Sequence, residues 1–465
     1  MADRPDLSDL IKEQAKQLAQ LRAELERLRR ENERLRKALE AARRAGFRQA
    51  APFSKGAPTA DPRRPGRKAG PAYGRQGHRR IPPVVDEPYD VPVPRTCPDC
   101  GGAVEDTHVT AQYQEDLPPV QPVVRRFDVH VGRCRRCGRR VQGRHPLQTS
   151  DALGAAAVQL GPDAIATAAV LNKQLGLPFG KVATLFAERF GLSVAPSAIV
   201  RALHRAATKA WPTYAALVQT VRTSPMVVAD ETGWRVEATL WWLAAYVTPD
   251  TTVYAILHGR GFDEAACVLG PAFPGVLVRD GWAPYRRFTE AAHQSCVGHL
   301  LRRARELRTD HPRALLPGEV HDVLQTALAV RDRHAAGAIS THGAAVARGR
   351  VINRLSTVLE PPTRVAAVRR FAQHLNREWD ALFTFLFALT TDATNWRAEH
   401  AIRWAVITRK VCGGGNRTPR GAVTQSVLGS VLRTARQRGL DRYAVLTPLL
   451  RAPTPIVSPA LAAPH

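Results

Sequence analysis

The chain has 465 residues, 44% of them hydrophobic, which is enough material for several domains with buried cores. Its 67 Lys and Arg residues against 41 Asp and Glu residues give a net charge of +26, which indicates a polyanionic partner; nucleic acid fits better than a membrane surface because no lipidation or amphipathic anchor pattern is present. The acidic start of the chain excludes a secretory signal and the longest apolar runs are too short to cross a bilayer, so we expect a cytoplasmic, nucleoid-associated protein without membrane contact.

Residues 6–42 show a heptad repeat that is typical of a coiled coil. A buried Asn at a seam position favours a parallel dimer in one register, and Asn32 holds such a position. An isolated charged helix is the alternative, because a short heptad run is only moderately diagnostic. We predict that the segment dimerises the chain through the following seam residues: Ile11, Leu18, Leu25, Leu28, Asn32 and Leu35.

Residues 43–85 are rich in Pro, Gly, Arg and Lys and show no periodicity. This composition predicts a basic, disordered segment. Such an arm can lie along DNA phosphates in a salt-dependent and sequence-independent way. A solvated linker has the same composition, so both interpretations stay open.

Two CxxC pairs, each followed by Gly, mark residues 86–147: Cys97 and Cys100, then Cys134 and Cys137. Four thiolates can close a tetrahedral zinc site with Zn–S bonds of about 2.3 Å, and the Gly permits a tight turn. We predict one structural Zn²⁺ ion in a ribbon whose strands include residues 126–131. A thioredoxin-like redox pair is the alternative.

Basic residues surround the second CxxC pair, and three of them predict a ribbon that faces DNA: Arg135, Arg136 and Arg139. In residues 148–222, helical periodicity appears over 163–174, 180–190 and 196–209. The last two segments allow a helix-turn-helix, whose second helix would present four basic or polar side chains to a major groove. These are Arg201, His204, Arg205 and Lys209. A compact helical bundle shows the same pattern.

Residues 223–301 contain two apolar strands that each lead into a carboxylate, Asp230 and Asp280. A helical pattern in residues 392–440 adds Glu399. Three such acids can chelate hard divalent cations, and two ions about 3.5–4 Å apart can hold the attacking and leaving oxygens of a phosphoryl displacement. A single Asp at a strand end is more often a turn or cap residue, so the prediction depends on all three acids.

Two neighbours of these acids are assigned other roles. Glu231 follows Asp230 on an extended strand and therefore points to the opposite face, which makes it the less favoured ligand. Cys296 and His299 form a CxxH pattern without a second pair nearby. We interpret them as a core cysteine and a polar neighbour of the site rather than as zinc ligands.

The rest of the chain frames the third acid. Residues 302–391 show helical periodicity, for example over 320–334 and 366–387, and are predicted to be a helical insertion. The Pro-rich residues after Arg451, within a tail of residues 441–465, are predicted to be loose. Basic residues on the Glu399 helix are predicted DNA contacts: Arg403, Arg409 and Lys410.

Four blocks of the chain, ADETGWRV, VRDGWAPY, CVGHLLRRARE and NWRAEHAIRWAVITRK, resemble in their order those of DDE transposases of the IS-sixty-six (insertion sequence sixty-six) family. The likeness extends over nearly the whole chain and identifies Asp230, Asp280 and Glu399 as the family's Asp, Asp and Glu. His400 stands where the family more often has Arg. The resemblance implies a ribonuclease-H-like core in which these acids bind Mg²⁺, for which we expect two ions per site.

The predicted fold class is therefore multidomain α/β: an N-terminal coiled coil, a zinc ribbon, a helical DNA-binding domain and a ribonuclease-H-like catalytic core with a helical insertion. The resemblance also implies a transposase that cuts and joins double-stranded DNA at terminal inverted repeats and target DNA. It would act as a homodimer or larger synaptic complex, with small accessory proteins of the same element. The alternatives are a non-catalytic zinc-containing DNA-binding regulator or inactive transposase remnant, and a metal-dependent nuclease that cuts without joining.

Overall fold

In the computed structural model, which describes residues 16–18, 20–36 and 79–462, the predicted coiled-coil segment is helical over all of its described residues. Its seam leucines are exposed in the single chain: Leu18, Leu25, Leu28 and Leu35. Ile11 lies outside the described residues, as do residues 43–78 of the predicted basic segment. The described segment is therefore a helix with an exposed apolar stripe, which a second helix could cover.

Residues 79–160 contain little regular secondary structure. Strands β1 (Val131–Arg133) and β2 (Arg140–Gln142) form an antiparallel pair, and a single bridge joins Thr96 to Ala103. The predicted strand over residues 126–131 is wrong, because Val131 is the first residue of this region to find a pairing partner.

Three helices precede the sheet. They are α1 (Pro162–Ala169), which passes into a π-helical turn over Val170–Gln174, then α2 (Phe179–Phe190) and α3 (Pro196–Arg222). Helix α2 ends at Gly191, whose φ of +60° suits glycine. Helix α3 continues beyond the predicted end at residue 209, because Leu217 and Val221 in the added turns are buried in the main core.

A five-stranded mixed sheet forms the centre of the molecule, in the order β5-β4-β3-β6-β7. Its strands are β3 (Met226–Val236), β4 (Thr239–Val247), β5 (Thr252–Leu257), β6 (Val276–Arg279) and β7 (Ala292–Ser295). Strands β3, β4 and β5 are antiparallel neighbours, whereas β6 runs parallel to both β3 and β7. The sequence pattern predicts a last strand over residues 295–297 that opens into a helix. This prediction is wrong in position: the strand lies at residues 292–295, since Cys296 already precedes the next helix.

Helices cover both faces and one edge of this sheet. Val227 and Ala229 of β3 belong to the core formed with α3, whereas Val228 and Trp234 pack against α9 (Trp396–Cys412). Helix α10 (Pro419–Gln437) closes the β5 edge: the backbone N–H groups of Thr252, Tyr254 and Ile256 donate to hydroxyl oxygens of that helix. The acceptors are Thr434, Ser430 and Ser426, one turn apart. The edge strand is thereby protected from pairing with another chain.

Further helices connect the strands and form a separate core. Helix α4 (Phe262–Leu269) links β5 to β6, and the predicted insertion comprises the end of α5 (Val297–Asp310), then α6 (Leu316–Ala335), α7 (Thr341–Leu359) and α8 (Ala366–Arg377). These insertion helices share a hydrophobic cluster of their own. The predicted helix over residues 366–387 is wrong after Arg377, because Glu378 turns inward to ion-pair with the sheet and two short 3₁₀ turns follow.

Residues 442–462 pack against the main core. Helix α11 (Arg442–Arg451) buries Leu446 and Leu449, and α12 (Pro459–Ala462) buries Leu461. The prediction of a loose tail after Arg451 is therefore wrong, since Leu461 is an apolar anchor and Ser458 N–H donates to Thr213 Oγ1 over 2.9 Å. The chain combines helices and sheet, and no helix in its described part is long and apolar enough to cross a membrane.

Candidate functional site

Strands β3 and β6 deliver two carboxylates to the same level. They are parallel neighbours in a register that pairs Met226 with Val276 and Val228 with Val278. Asp230 and Asp280 each lie two residues beyond the pair of Val228 and Val278. Asp230 is inside β3, opposite Ala245 of β4, whereas Asp280 directly follows the end of β6. Asp280 is held there by the backbone N–H of Trp282, which donates to its Oδ1 over 2.8 Å.

Helix α9 carries Glu399 to the same face of the sheet as Asp230. Ala398, Ala401 and Ile402 of this helix are buried in the cluster that contains Val228 and Trp234 of β3. Glu399 lies beside this buried stripe and stays partly exposed, and its Oε1 is 3.6 Å from His299 Nε2. His299 thus lies next to the site, as its position in the CxxH pattern predicts.

Asp230 is electrostatically unfavourable as an ion in this cluster. Burial, together with the neighbouring charges of Glu231, Asp280 and Glu399, raises the pKa of Asp230 to about 7. The backbone N–H of Glu231, which donates to Asp230 Oδ1 over 3.0 Å, acts in the opposite direction. A site of several repelling carboxylates with few compensating donors fits a hard divalent cation in both charge and donor type.

The acids do not form a closed ligand set. Within the residues that the structure describes, no three His, Cys, Asp or Glu side chains are arranged as a complete metal-binding group. Asp280 and Glu399 lie close enough to Asp230 for their charges to raise its pKa. Binding of a cation would require the carboxylate oxygens of the three acids to move closer together.

Glu231 occupies the opposite face of β3, as strand alternation predicts. Tyr285 Oη donates to its Oε2 over 2.9 Å, and burial followed by the charge of Asp280 raises the pKa of Glu231 to about 7. Burial also raises the pKa of Tyr285 well above its usual value, so its hydroxyl remains a donor. Glu231 is therefore a half-buried neighbour of Asp280 that strand alternation alone did not connect to the site.

A cavity of about 520 Å³ opens beside Asp230 and Glu399. Helices α5 and α9 contribute basic and aromatic side chains to its lining: Arg302, Trp396, His400 and Arg403. Asp280 is not among the lining residues. Arg302 and Trp396 were not singled out from the sequence, although Trp396 stands one helical turn before Glu399.

A buried ion-pair network lies directly behind Asp280. Arg279 is almost fully buried and its Nη1 contacts Glu378 Oε2 of the insertion. Arg286 Nη1 donates to Glu378 Oε1 over 2.8 Å, and Ser295 Oγ donates to Oε2 over 2.7 Å. Arg279 also donates to the backbone oxygen of Asp280 over 3.0 Å. The insertion is thereby anchored to the strand that carries the second acid.

The two CxxC turns have matching backbone geometry. Cys97 N–H donates to Gly102 O and Cys134 N–H donates to Arg139 O, each over 2.8 Å. Backbone N–H groups of the turn lower the pKa of Cys97, and the equivalent groups lower that of Cys134, which favours the thiolate form that binds metal. Cys100 and Cys137 are exposed, and the described structure does not bring the two turns together as one ligand group.

Some of the predicted DNA contacts are exposed, whereas others already hydrogen-bond to groups of the protein itself. Arg409 Nη1 donates to Thr232 Oγ1 and to the carbonyl of Gly233, and Lys410 is half-buried. Lys209 Nζ donates to the carbonyls of Thr149, Leu450 and Ala452, so it holds the end of α11 in place. The exposed members are Arg135, Arg136, Arg139, Arg201, Arg205 and Arg403.

Comparison with known proteins gives one family match. The model described as "Transposase IS66 family" matches residues 157–424, more than half of the chain, a range that contains Asp230, Asp280 and Glu399. The chain is also similar to the uncharacterized protein y4jD of Sinorhizobium fredii (strain NBRC 101917 / NGR234), with 25% identity over 398 residues, covering 78% of this chain and 76% of that protein. Both CxxC turns lie before the residues that the family model matches.

Proposed function

Because the chain belongs to the IS66 family of transposases, we propose that it cleaves DNA at the ends of an insertion sequence and joins them to target DNA in a metal-dependent reaction. The catalytic acids of this proposal are Asp230, Asp280 and Glu399. The coiled coil, the zinc ribbon, the ribonuclease-H-like core, the homodimer or synaptic complex and the accessory proteins remain parts of the proposal.

One observation carries the proposal: two acids lie at equivalent positions, two residues beyond the last pair of the parallel strands β3 and β6, and a third comes from a helix packed on the same sheet face. The sheet order, with three antiparallel strands followed by two parallel ones, supports a ribonuclease-H-like core. The raised pKa of Asp230 supports cation binding, since a divalent ion would relieve the repulsion among the carboxylates.

Asp230, Asp280 and Glu399 would hold the divalent cations. When bound, two Mg²⁺ ions would supply Lewis-acid activation of water or a DNA 3′-hydroxyl and would neutralise charge on the phosphate. The protein's own groups orient these acids. The Trp282 N–H fixes Asp280, and His299 lies beside Glu399.

The decisive test replaces each acid by its amide: Asp230→Asn, Asp280→Asn and Glu399→Gln. Shape is retained and the anionic charge is lost, so Mg²⁺-dependent cleavage and strand transfer on DNA carrying the element's ends should fall by at least about 100-fold. Binding of the same DNA without metal should persist or tighten slightly, because negative charge has been removed from a basic protein. Glu290→Gln, at an exposed position in the same core, is the control and should retain full activity.

The outcomes separate the candidate functions. If cleavage occurs but strand transfer does not, the nuclease interpretation replaces transposition. If the parent binds the DNA and neither it nor the amide variants cut, the chain is a non-catalytic regulator or an inactive remnant. If only Glu399→Gln stays active, another acid such as Asp392 supplies the third ligand, although Asp392 is ion-paired with Arg397.

A further inference from the structure

Trp396 is an exposed aromatic side chain at the edge of the proposed catalytic cavity. It lies at the start of α9, lines the cavity with Asp230 and Glu399, and is 54% exposed. Its ring contacts come from its own helix: the His400 ring at 6.3 Å and the Arg397 guanidinium at 5.5 Å. Because Trp is highly buried on average, a half-exposed indole in a cavity indicates a surface that binds something flat and apolar.

Two cations line the same cavity. Arg302 on α5 and Arg403 on α9 line the cavity and are exposed. Neither has an ion pair or hydrogen bond with any residue that the structure describes. The cavity therefore combines the carboxylates of Asp230 and Glu399 with an indole face and two guanidinium groups, and Glu399 stands between Trp396 and Arg403 on one face of α9.

We propose that this cavity binds one nucleotide next to the scissile phosphate with its base out of the helical stack. The base would stack on Trp396, and Arg302 and Arg403 would pair with the adjoining phosphate. The proposal rests on the DNA substrate of the proposed function. An indole can stack only on a base with a free face, and bases inside a duplex have none, so the nucleotide must be unstacked. A cavity of about 520 Å³ lies in the range of pockets that hold a ligand of this size.

A binding assay without divalent cation tests this site independently of chemistry. The probe is a duplex with the terminal sequence of the element that encodes the chain. Trp396→Ala should weaken its binding about 10-fold, the magnitude typical of one lost base-stacking contact, and Trp396→Phe should recover much of the loss. Phe387→Ala is the matched control, because Phe387 is a 63% exposed aromatic residue in the insertion, packs against Arg348 and lies outside the cavity; it should leave binding unchanged.

Single abasic substitutions, scanned over three nucleotides on either side of the cleavage point, identify the base. At one position the abasic probe should bind the parent more weakly and should abolish the difference between parent and Trp396→Ala, because both changes remove the same contact. If Trp396→Ala weakens every abasic probe by the same factor, the indole contacts something other than a base. If Trp396→Ala binds like the parent, the site does not exist.

Failure of the nucleotide-site proposal can be distinguished from failure of the proposed transposase function. Cleavage by the parent together with additive effects of Trp396→Ala and every abasic substitution would refute the nucleotide site and leave the transposase intact. If the parent does not prefer end DNA to unrelated duplex, both proposals fail together. A change of oligomeric state in Trp396→Ala, seen by sedimentation, would instead assign the indole to contact with a second copy.

Discussion

At the scale of single residues, the ionisation of Asp230 links the site to stability. Its pKa is raised to about 7 by burial and by the surrounding acids, far above the value of 3.8 for an isolated Asp. Between these two values the folded state binds more protons than the unfolded state, so stability falls as the pH rises from about 4 to 7 and is constant above that range. Glu231, with its pKa raised to about 7, contributes in the same direction.

Asp230→Asn should therefore stabilise the metal-free protein at pH 8 by about 1–3 kcal/mol, and should have little effect near pH 4. The measurement is thermal unfolding in chelator across this pH range. Glu290→Gln, at an exposed position, is the control. Mg²⁺ should raise the unfolding midpoint of the parent at pH 8 and should not do so for Asp230→Asn. Parallel pH profiles for parent and variant would show that Asp230 is not destabilised as an ion.

At the scale of elements, local sequence patterns predict the strands, but they do not predict contacts between residues that are far apart in the chain. The alternation and apolar run of residues 226–236 predict β3 with its observed bounds, and the strand leading into Asp280 follows in the same way. The sequence pattern around Glu378 does not indicate that this residue pairs with Arg279, 99 positions earlier. Lys209 and Arg409 look like DNA contacts in sequence because only tertiary packing supplies the carbonyls that occupy them.

The Glu378 network gives a prediction about the attachment of the insertion. Glu378→Gln leaves Arg279 as a buried cation without an anionic partner, so stability should fall by about 3–5 kcal/mol in denaturant unfolding. Hydrogen exchange should accelerate in β6 and α8, which the network joins. Glu306→Gln is the matched surface control, because its pair with Arg303 is exposed and should contribute less than about 1 kcal/mol. Equal effects of the two variants would mean that the network does not anchor the insertion.

The CxxC turns give a second prediction at this scale. Each turn lowers the pKa of its first thiol, Cys97 or Cys134. The surrounding residues 79–130 leave apolar side chains exposed, for example Val84, Val91 and Val124. A segment without a core needs another source of folding energy, which a structural metal supplies. Protein purified under reducing conditions without chelator should carry about one Zn²⁺ per chain.

Cys97→Ser should release this metal and make residues 79–147 sensitive to protease, while the sheet and its helices stay folded. Cys267→Ser, at an exposed cysteine outside the turns, is the control and should retain zinc. Metal analysis that finds no zinc in the parent would exclude the four-cysteine site and favour the redox interpretation.

At the scale of the whole molecule, charge and assembly act together. The net charge of +26 draws the chain to DNA without regard to sequence, and the Arg residues near the second CxxC turn and on α3 are exposed and available to contact phosphates. Cutting and joining two DNA ends in one reaction requires two such DNA-binding surfaces at a fixed distance and orientation. The N-terminal helix is the element suited to provide it, because its apolar stripe is exposed in the single chain.

Deletion of residues 1–42 should therefore convert the protein to a smaller species in analytical ultracentrifugation while zinc content and the folded core are retained. Asn32→Leu should raise the thermal stability of the helix and broaden the distribution of oligomers, because a buried Asn selects the parallel dimer at a cost in stability. Replacing the seam residues Leu25 and Leu28 by Lys should reproduce the deletion, whereas Arg22→Lys, which keeps the charge on the same helix, should not. An unchanged oligomer after deletion would place the dimer contact elsewhere in the chain and leave the helix free to bind another partner.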